Sequence, residues 1–227
     1  NATIIKSTDG GRNWVNHLGR TNAPLPHSDF LVVDAWLHAL GRTNSYLPRT
    51  EQPMFAKLPW AWLTFIQYGK GGAFPKTDNA DRYVYLTVGD FKTTACNLVR
   101  VPRNRLADLN RKDFQFYKGR GLDGLLDSSW SNEPVGPDAP TSIGNVVYNF
   151  DLGCYIGANG SAYAEPGKGG PLGALKSRLH IYVAPHPWGP WRQLVRYGIW
   201  GRIGWSLLLC NKFTAPGGKK MWHGFSG

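Results

Sequence analysis

Short alternating runs, each closed by a glycine, proline or asparagine, recur along most of this 227-residue chain. In these runs apolar side chains occupy every second position, which is the period of a strand with one buried face. The 28 glycines and 16 prolines interrupt helices and form turns. Such spacing predicts an all-β fold: a sandwich, barrel or propeller. The predicted strands are residues 63–68, 83–88, 97–101, 114–117, 145–150, 153–157, 179–183, 191–197 and 220–225.

Only two windows favour a helix. Residues 28–40 have Ser28 as a candidate N-cap, but their β-branched run fits a strand equally well. Residues 103–109 fit a short helical turn. Because no linker or low-complexity segment is evident, we predict one domain over residues 1–227. The chain begins and ends abruptly, and we therefore expect it to be a piece of a longer protein.

Composition and charge limit the class of protein. Hydrophobic residues make up 42% and charged residues 18%, which predicts a packed core. No apolar run approaches the roughly 20 residues that span a bilayer, so we predict a soluble monomer with no membrane span. The net charge of +11 is compatible with nucleic acid. However, the basic residues are dispersed and no nucleic-acid motif accompanies them, so an anionic polysaccharide is at least as good a partner.

The cysteines and sequons bear on the compartment. Cys96, Cys154 and Cys210 are odd in number and form no CxxC pair, so at least one has no partner within the chain. Asn1 and Asn159 each begin an Asn-x-Ser/Thr sequon and are predicted glycosylation sites of a secreted, extracellular glycoprotein.

Residues 7–14 read STDGGRNW and resemble the Asp-box, a turn motif between two strands of a propeller blade. In that motif the aspartate accepts backbone hydrogen bonds, a glycine takes a conformation closed to other residues, and the tryptophan packs between blades. Asn13 stands where a threonine is usual. The motif marks the fold, and Asp9 is expected to have a structural role.

Residues 184–191 read APHPWGPW, and three prolines in this stretch exclude a helix. The segment resembles the hairpin of five-bladed propellers that act on polysaccharides. Residues 65–71 with 81–86, 98–102 with 114–119, and 146–149 with 152–156 agree with the same family. Together, residues 55–227 resemble the propeller family that includes endo-D-arabinanases. This resemblance implies a five-bladed β-propeller with four-stranded antiparallel blades, incomplete at both ends.

The resemblance implies a glycoside hydrolase cleaving a cell-wall or plant polysaccharide with an Asp/Glu pair. The candidate catalytic residues are Asp34, Asp90 and Glu133, which follow or interrupt apolar and aromatic runs. For each of them a cap, turn or surface role is the competing interpretation. Val183 stands where such propellers often carry an acidic residue, which puts hydrolysis in doubt. The alternatives are a lectin-like propeller that binds glycan without cutting it and a protein-interaction propeller.

Aromatic and histidine side chains are the candidates for substrate binding. We select Trp130, Tyr148, His180 and Trp188, since ring faces stack on sugars. For Trp188 and the nearby Trp191, filling space between blades is the favoured interpretation. The histidines show no metal-ligand spacing, and neither a metal nor a cofactor is predicted.

Overall fold

The computed structural model describes residues 4–10, 14–17, 19, 21–22, 54–55, 62–68, 82–89, 95–119, 130–133, 142–164, 175–201 and 205–226. These residues are all-β, with antiparallel sheets and two short 3-10 helices, Leu106–Asp108 and Arg111–Asp113. The chain divides into two units. One comprises Asn1–Leu58 and Arg105–Arg111, and the other comprises Pro59–Asn104 and Lys112–Gly227.

The first unit contains a hairpin formed by β1 (Trp14–Val15) and β2 (Thr21–Asn22). A bridge between Lys6 and Val15 encloses the Asp-box-like turn. There, the Ser7 hydroxyl donates a hydrogen bond of 2.8 Å to the Asp9 carboxylate, and Gly10 has a φ of +75°. The left-handed glycine is the backbone feature that the motif predicted.

Sheet I of the second unit is a meander in which consecutive strands pair antiparallel. Residue pairs facing across β4 (Tyr83–Gly89) and β5 (Ala95–Pro102) include Tyr85 with Arg100, and those across β5 and β6 (Gln115–Tyr117) include Arg100 with Gln115. A further strand, β8 (Ser142–Ile143), pairs with β5. The strands of sheet I are β3 (Trp62–Phe65), β4 (Tyr83–Gly89), β5 (Ala95–Pro102), β6 (Gln115–Tyr117), β7 (Trp130–Ser131) and β8 (Ser142–Ile143).

Sheet II is a second antiparallel meander, made of β9 (Asn145–Asn149), β10 (Cys154–Ala164), β11 (Leu175–Ala184) and β12 (Arg192–Gly201). Tyr155 of β10 faces Tyr148 of β9 on one side and Ala184 of β11 on the other. These three residues lie on one face of sheet II, and they share a buried cluster with Tyr85, Leu98 and Tyr117 of sheet I. The core therefore includes one face of each sheet.

The opposite face of sheet II packs against a third element, the hairpin of β13 (Trp205–Thr214) and β14 (Met221–Ser226). Val147, Ile156 and Leu179 of sheet II form a buried cluster with Leu209 of β13.

Hydrogen bonds link the first strands of sheet I, sheet II and the hairpin, which are β3, β9 and β13. Gln67, just after β3, forms a parallel bridge with Val147 of β9, and the Asn211 side chain of β13 donates hydrogen bonds to the Gln67 and Tyr148 carbonyls.

The proline-rich segment forms the corner between β11 and β12. His186 and Gly189 bridge across it, and the Gly189 N–H donates a 3.0 Å hydrogen bond to the His186 carbonyl. Gly189 has a φ of +109°, which only glycine adopts without strain, and the Gly189–Pro190 peptide bond is cis. A tight corner therefore joins two strands, as the sequence predicted.

All nine predicted strands overlap observed strands, and the window 103–109 contains a 3-10 turn. Strands β1, β2, β7, β8 and β13 were not predicted. The window 28–40 lies outside the described residues. The structure confirms an all-β antiparallel chain, whereas the propeller architecture and the single domain over residues 1–227 stay predictions. In the part of the chain that the structure describes, no helix has the length and apolar character to cross a membrane.

Candidate functional site

Sheet I brings an arginine and several aromatic rings together on the face that meets sheet II. Register pairs in antiparallel strands point to the same face, so pairing of Tyr85 with Arg100 and of Tyr117 with Trp130 collects their side chains. We call this group, together with a ring from the β11–β12 corner, the arginine–aromatic cluster. Its members are Tyr83, Tyr85, Arg100, Tyr117, Trp130 and Trp188.

Arg100 lies between two rings of the cluster. Its guanidinium carbon is 4.1 Å from the centroid of the Tyr83 ring and 4.0 Å from that of Trp130. Its Nε donates a 2.8 Å hydrogen bond to Oε1 of Gln115. Partial burial lowers the pKa of Arg100, and Tyr83 and Tyr85 oppose that shift. Since an arginine's ordinary pKa is so high, the side chain stays a cation that cation–π contacts hold in place.

Trp188 reaches the cluster from the β11–β12 corner. Its ring centroid is 6.4 Å from Tyr85, 6.3 Å from Tyr117 and 6.4 Å from Trp130. His186 stacks on Trp188 at 5.1 Å and an interplanar angle of 7°. The structure therefore brings together two predicted substrate-binding residues, Trp130 and Trp188. It also supports the packing role, because Trp188 contacts rings on several sides.

Two polar atoms of the cluster are buried donors. The indole N–H groups of Trp130 and Trp188 have no hydrogen-bond acceptor among the residues the structure describes. A buried donor without an acceptor costs about 1–3 kcal/mol, so these indoles favour an oxygen acceptor nearby. Aromatic rings interspersed with a few hydrogen-bond donors are the composition of many small-ligand sites.

The other two predicted substrate-binding residues, Tyr148 and His180, are not members of the arginine–aromatic cluster, although Tyr148 belongs to the same buried core as Tyr85 and Tyr117. Tyr148 is buried, and its ring centroid lies 4.8 Å from that of Tyr155 and 4.9 Å from that of Phe150. Its covered ring disfavours stacking on a sugar. His180 faces Asn159 in the register of sheet II, four positions along β10 from the partner of Tyr148.

The surroundings of His180 favour its neutral imidazole form, because they lower its pKa. Burial lowers its pKa first, and the positive charges of Arg196 and Arg178 lower it further. Its Nδ1 lies 3.4 Å from the Tyr182 hydroxyl. His180 thus belongs to a basic, half-buried stretch of β11 and β12 rather than to the arginine–aromatic cluster.

The predicted catalytic carboxylates are not brought together by the described residues. Glu133 is exposed just beyond β7, where its backbone N–H donates to the Ser131 hydroxyl at 3.1 Å. Asp34 and Asp90 lie outside the described residues. In those ranges no ion pair joins Arg100 to a carboxylate.

The sequons have different outcomes. Asn1 lies outside the described residues. Asn159 is only 9% exposed, lies inside β10 between two neighbouring strands, and accepts a 3.0 Å hydrogen bond from the Gly144 N–H through Oδ1. A glycan needs an accessible amide, so this burial argues against glycosylation of Asn159 in the folded protein.

The cysteines and possible metal ligands complete the inventory of reactive groups. Cys96, Cys154 and Cys210 form no disulfide with one another, and burial raises the pKa of Cys154. Within the described ranges, no group of three histidine, cysteine or acidic side chains is placed to hold a metal ion.

Sequence reasoning missed Arg100 and its tyrosine neighbours. The available signal was the alternation of Tyr83 and Tyr85 on one strand, with Arg100 on the next predicted strand. The alternation alone does not show that these side chains meet. Their proximity follows from the pairing register, which places Tyr85 opposite Arg100.

Comparison of the chain with protein-family models, curated proteins and solved structures finds no match.

Proposed function

We propose that this protein is a secreted, carbohydrate-active β-propeller that binds glycan through the arginine–aromatic cluster. The cluster is the observation that carries the proposal, because it combines ring edges, a fixed cation and two buried indole donors. Sugars offer both C–H faces to aromatic rings and hydroxyl oxygens to donors.

The arrangement of the sheets supports the propeller architecture. Strands β9–β12 form a four-stranded antiparallel meander, which is the form of a propeller blade, and β3–β6 pair in the same consecutive order within the six-stranded sheet I. The β13–β14 hairpin follows as the beginning of a third. A parallel bridge links Gln67 and Val147, next to and within the first strands of the two meanders, and Asn211 joins the third. Convergence of first strands is expected where blades surround a central axis.

Affinity electrophoresis through gels containing neutral and acidic plant, fungal and bacterial polysaccharides tests glycan binding. We expect retardation of the parent chain and weaker retardation of Trp130→Phe, which loses the indole N–H and part of the ring area. Phe213→Tyr, a conservative change at an exposed ring of β13, is the control and should bind like the parent chain. Absence of retardation in every gel would refute the proposal.

Hydrolysis is the second candidate function, favoured by the position of Glu133 three residues after Trp130 of the cluster. A glycosidase needs two carboxylates at the scissile bond, one acting as an acid and the other as a base or nucleophile. We expect release of new reducing ends to disappear in Glu133→Gln or Asp90→Asn, and to persist in Asp151→Asn, an exposed turn residue. Binding without release in the parent chain would leave only the binding function.

A further inference from the structure

We infer that Arg100 binds an anionic substituent of the glycan, a carboxylate or sulfate group on a sugar. This inference rests on the proposed function and specifies the chemistry of the ligand. It comes from the juxtaposition of the Arg100 guanidinium, which contacts the Tyr83 and Trp130 rings, with the indole N–H groups of Trp130 and Trp188.

The orientation of Arg100 is fixed before any ligand binds. Tyr83 and Trp130 contact the guanidinium at about equal distances, and Gln115 accepts from Nε. Tyr85 lies opposite Arg100 in the register of β4 and β5 and opposes the lowering of its pKa. A guanidinium has more N–H donors than the hydrogen bond to Gln115 uses, and its planar fork matches the two oxygens of a carboxylate. A clamped arginine loses little conformational entropy on binding an anion.

Among the residues that the structure describes, no carboxylate compensates the charge of Arg100. No ion pair joins it to a carboxylate in the described ranges, and its partial burial already disfavours the cation. A half-buried cation is stabilised by an anion more strongly than an exposed one, because the surrounding dielectric is lower and salt screens less. The chain's net charge of +11 also attracts polyanions.

The same contacts favour an acidic sugar over a nucleic acid. Single-stranded nucleic acids bind by stacking bases on open aromatic faces. Here Arg100 covers a face of both Tyr83 and Trp130, and His186 covers a face of Trp188. The cluster instead offers a ligand the indole N–H groups at the ring edges and the guanidinium N–H groups, which can donate to sugar oxygens and to an oxyanion.

Two pairs of polymers, each with an acidic and a neutral member, test the inference. Isothermal titration calorimetry at near-physiological salt would compare polygalacturonate with its methyl ester, and dextran sulfate with dextran, to separate carboxylate from sulfate. We expect the parent chain to bind at least one acidic polymer about 10- to 100-fold more tightly than its neutral counterpart, the range of a charge-assisted hydrogen bond. Arg100→Gln should lose that preference and Arg100→Lys should retain part of it. Arg192→Gln, which removes the same charge from an exposed position of β12, should keep it.

The outcomes separate the two proposals. Equal binding of acidic and neutral polymers by the parent chain would refute the inference and leave glycan binding intact. Equal losses in Arg192→Gln and Arg100→Gln would assign the preference to overall charge and would also refute it. No binding of any polymer would refute the proposed function itself. If circular dichroism shows that Arg100→Gln does not fold, two measurements decide: the parent chain's ratio of affinities for the acidic and the neutral polymer, and the same ratio in Arg100→Lys.

Discussion

At the scale of single residues, two hydrogen bonds to Gly144 connect the two sheets. The Thr87 hydroxyl of β4 donates to the Gly144 carbonyl at 2.8 Å, and the Gly144 N–H donates to Asn159 of β10 at 3.0 Å. Thr87, Gly144 and Asn159 are all buried, so water cannot replace either partner readily. These two hydrogen bonds hold Gly144 between β4 and β10.

Replacing Thr87 with valine tests this contact, since valine keeps the volume and removes the hydroxyl. We expect Thr87→Val to lower the free energy of unfolding by about 1–3 kcal/mol, because the Gly144 carbonyl loses its donor. Thr64→Val, at a half-buried position of β3, is the control and should change stability by less than about 0.5 kcal/mol. Urea unfolding followed by tryptophan fluorescence measures both. Equal effects would mean that the hydroxyl contributes nothing specific.

The lowered pKa of His180 predicts a pH dependence of stability. Above the unfolded-state value of about 6.5 the imidazole is neutral in both states. Below it the unfolded chain binds a proton before the folded one does, so stability falls as the pH decreases towards the folded-state pKa. The groups that face the ring are Arg178, Arg196 and Tyr182.

Urea unfolding at pH 7.5 and pH 5.5 measures this dependence. Between pH 7.5 and pH 5.5, we expect the free energy of unfolding to fall less in His180→Gln than in the parent chain. His223→Gln, at an exposed position of β14, should behave like the parent chain. An unchanged loss in His180→Gln would assign the pH dependence to other groups.

At the scale of secondary-structure elements, a glycine sets the approach of β10 to its neighbours. A Cβ on Gly157 would lie 2.7 Å from Cγ2 of Ile143 and 3.3 Å from the Trp191 ring. Both neighbours are buried and cannot move without disturbing the core. The small residue therefore lets β8 and the end of the β11–β12 corner pack directly on β10.

We expect Gly157→Ala to destabilise the protein by about 1–3 kcal/mol through overpacking. Gly198→Ala is the matched control, because a Cβ there meets no atom within 4 Å in exposed β12. That change should be neutral or slightly stabilising, since alanine restricts the unfolded chain. Thermal unfolding by circular dichroism compares the two variants. A loss of similar size in both would point to strand propensity instead of crowding.

How far the elements follow from sequence depends on their burial pattern. Runs rich in β-branched and aromatic residues predicted β4 and β9, which are buried on both faces over most of their length. Strand β13 escaped prediction because its residues 207–209 are a continuous leucine run, which periodicity cannot distinguish from a buried helix segment. The abundance of indoles pointed to Trp130 and Trp188. The contacts of Arg100 with Tyr83 and Trp130 depend on register, which becomes definite only when the strands pair.

At the scale of the whole molecule, the second unit is organised around the place where its three sheets meet. Residues far apart in sequence converge there: Gln67 follows β3, Tyr148 belongs to β9 and Asn211 belongs to β13. The Tyr148 N–H donates to the Gln67 carbonyl at 2.9 Å, and Asn211 Nδ2 donates to the Gln67 and Tyr148 carbonyls at 2.9 and 2.6 Å. One amide thus ties together three elements whose own hydrogen bonds are otherwise mostly internal.

Replacing Asn211 with alanine tests whether this junction makes the three sheets one cooperative structure. Two carbonyl oxygens would lose a donor, and we expect the free energy of unfolding to fall by about 1–3 kcal/mol. Asn104→Ala, in an exposed turn after β5, is the control and should be nearly neutral. Native-state hydrogen exchange adds the decisive measurement. If the junction couples the sheets, amides of β3, β9 and β13 should exchange faster together in Asn211→Ala, because the sheets open as a unit. Faster exchange confined to β13 and β14 would instead show that this hairpin opens by itself and that Asn211 only fastens it to sheets I and II.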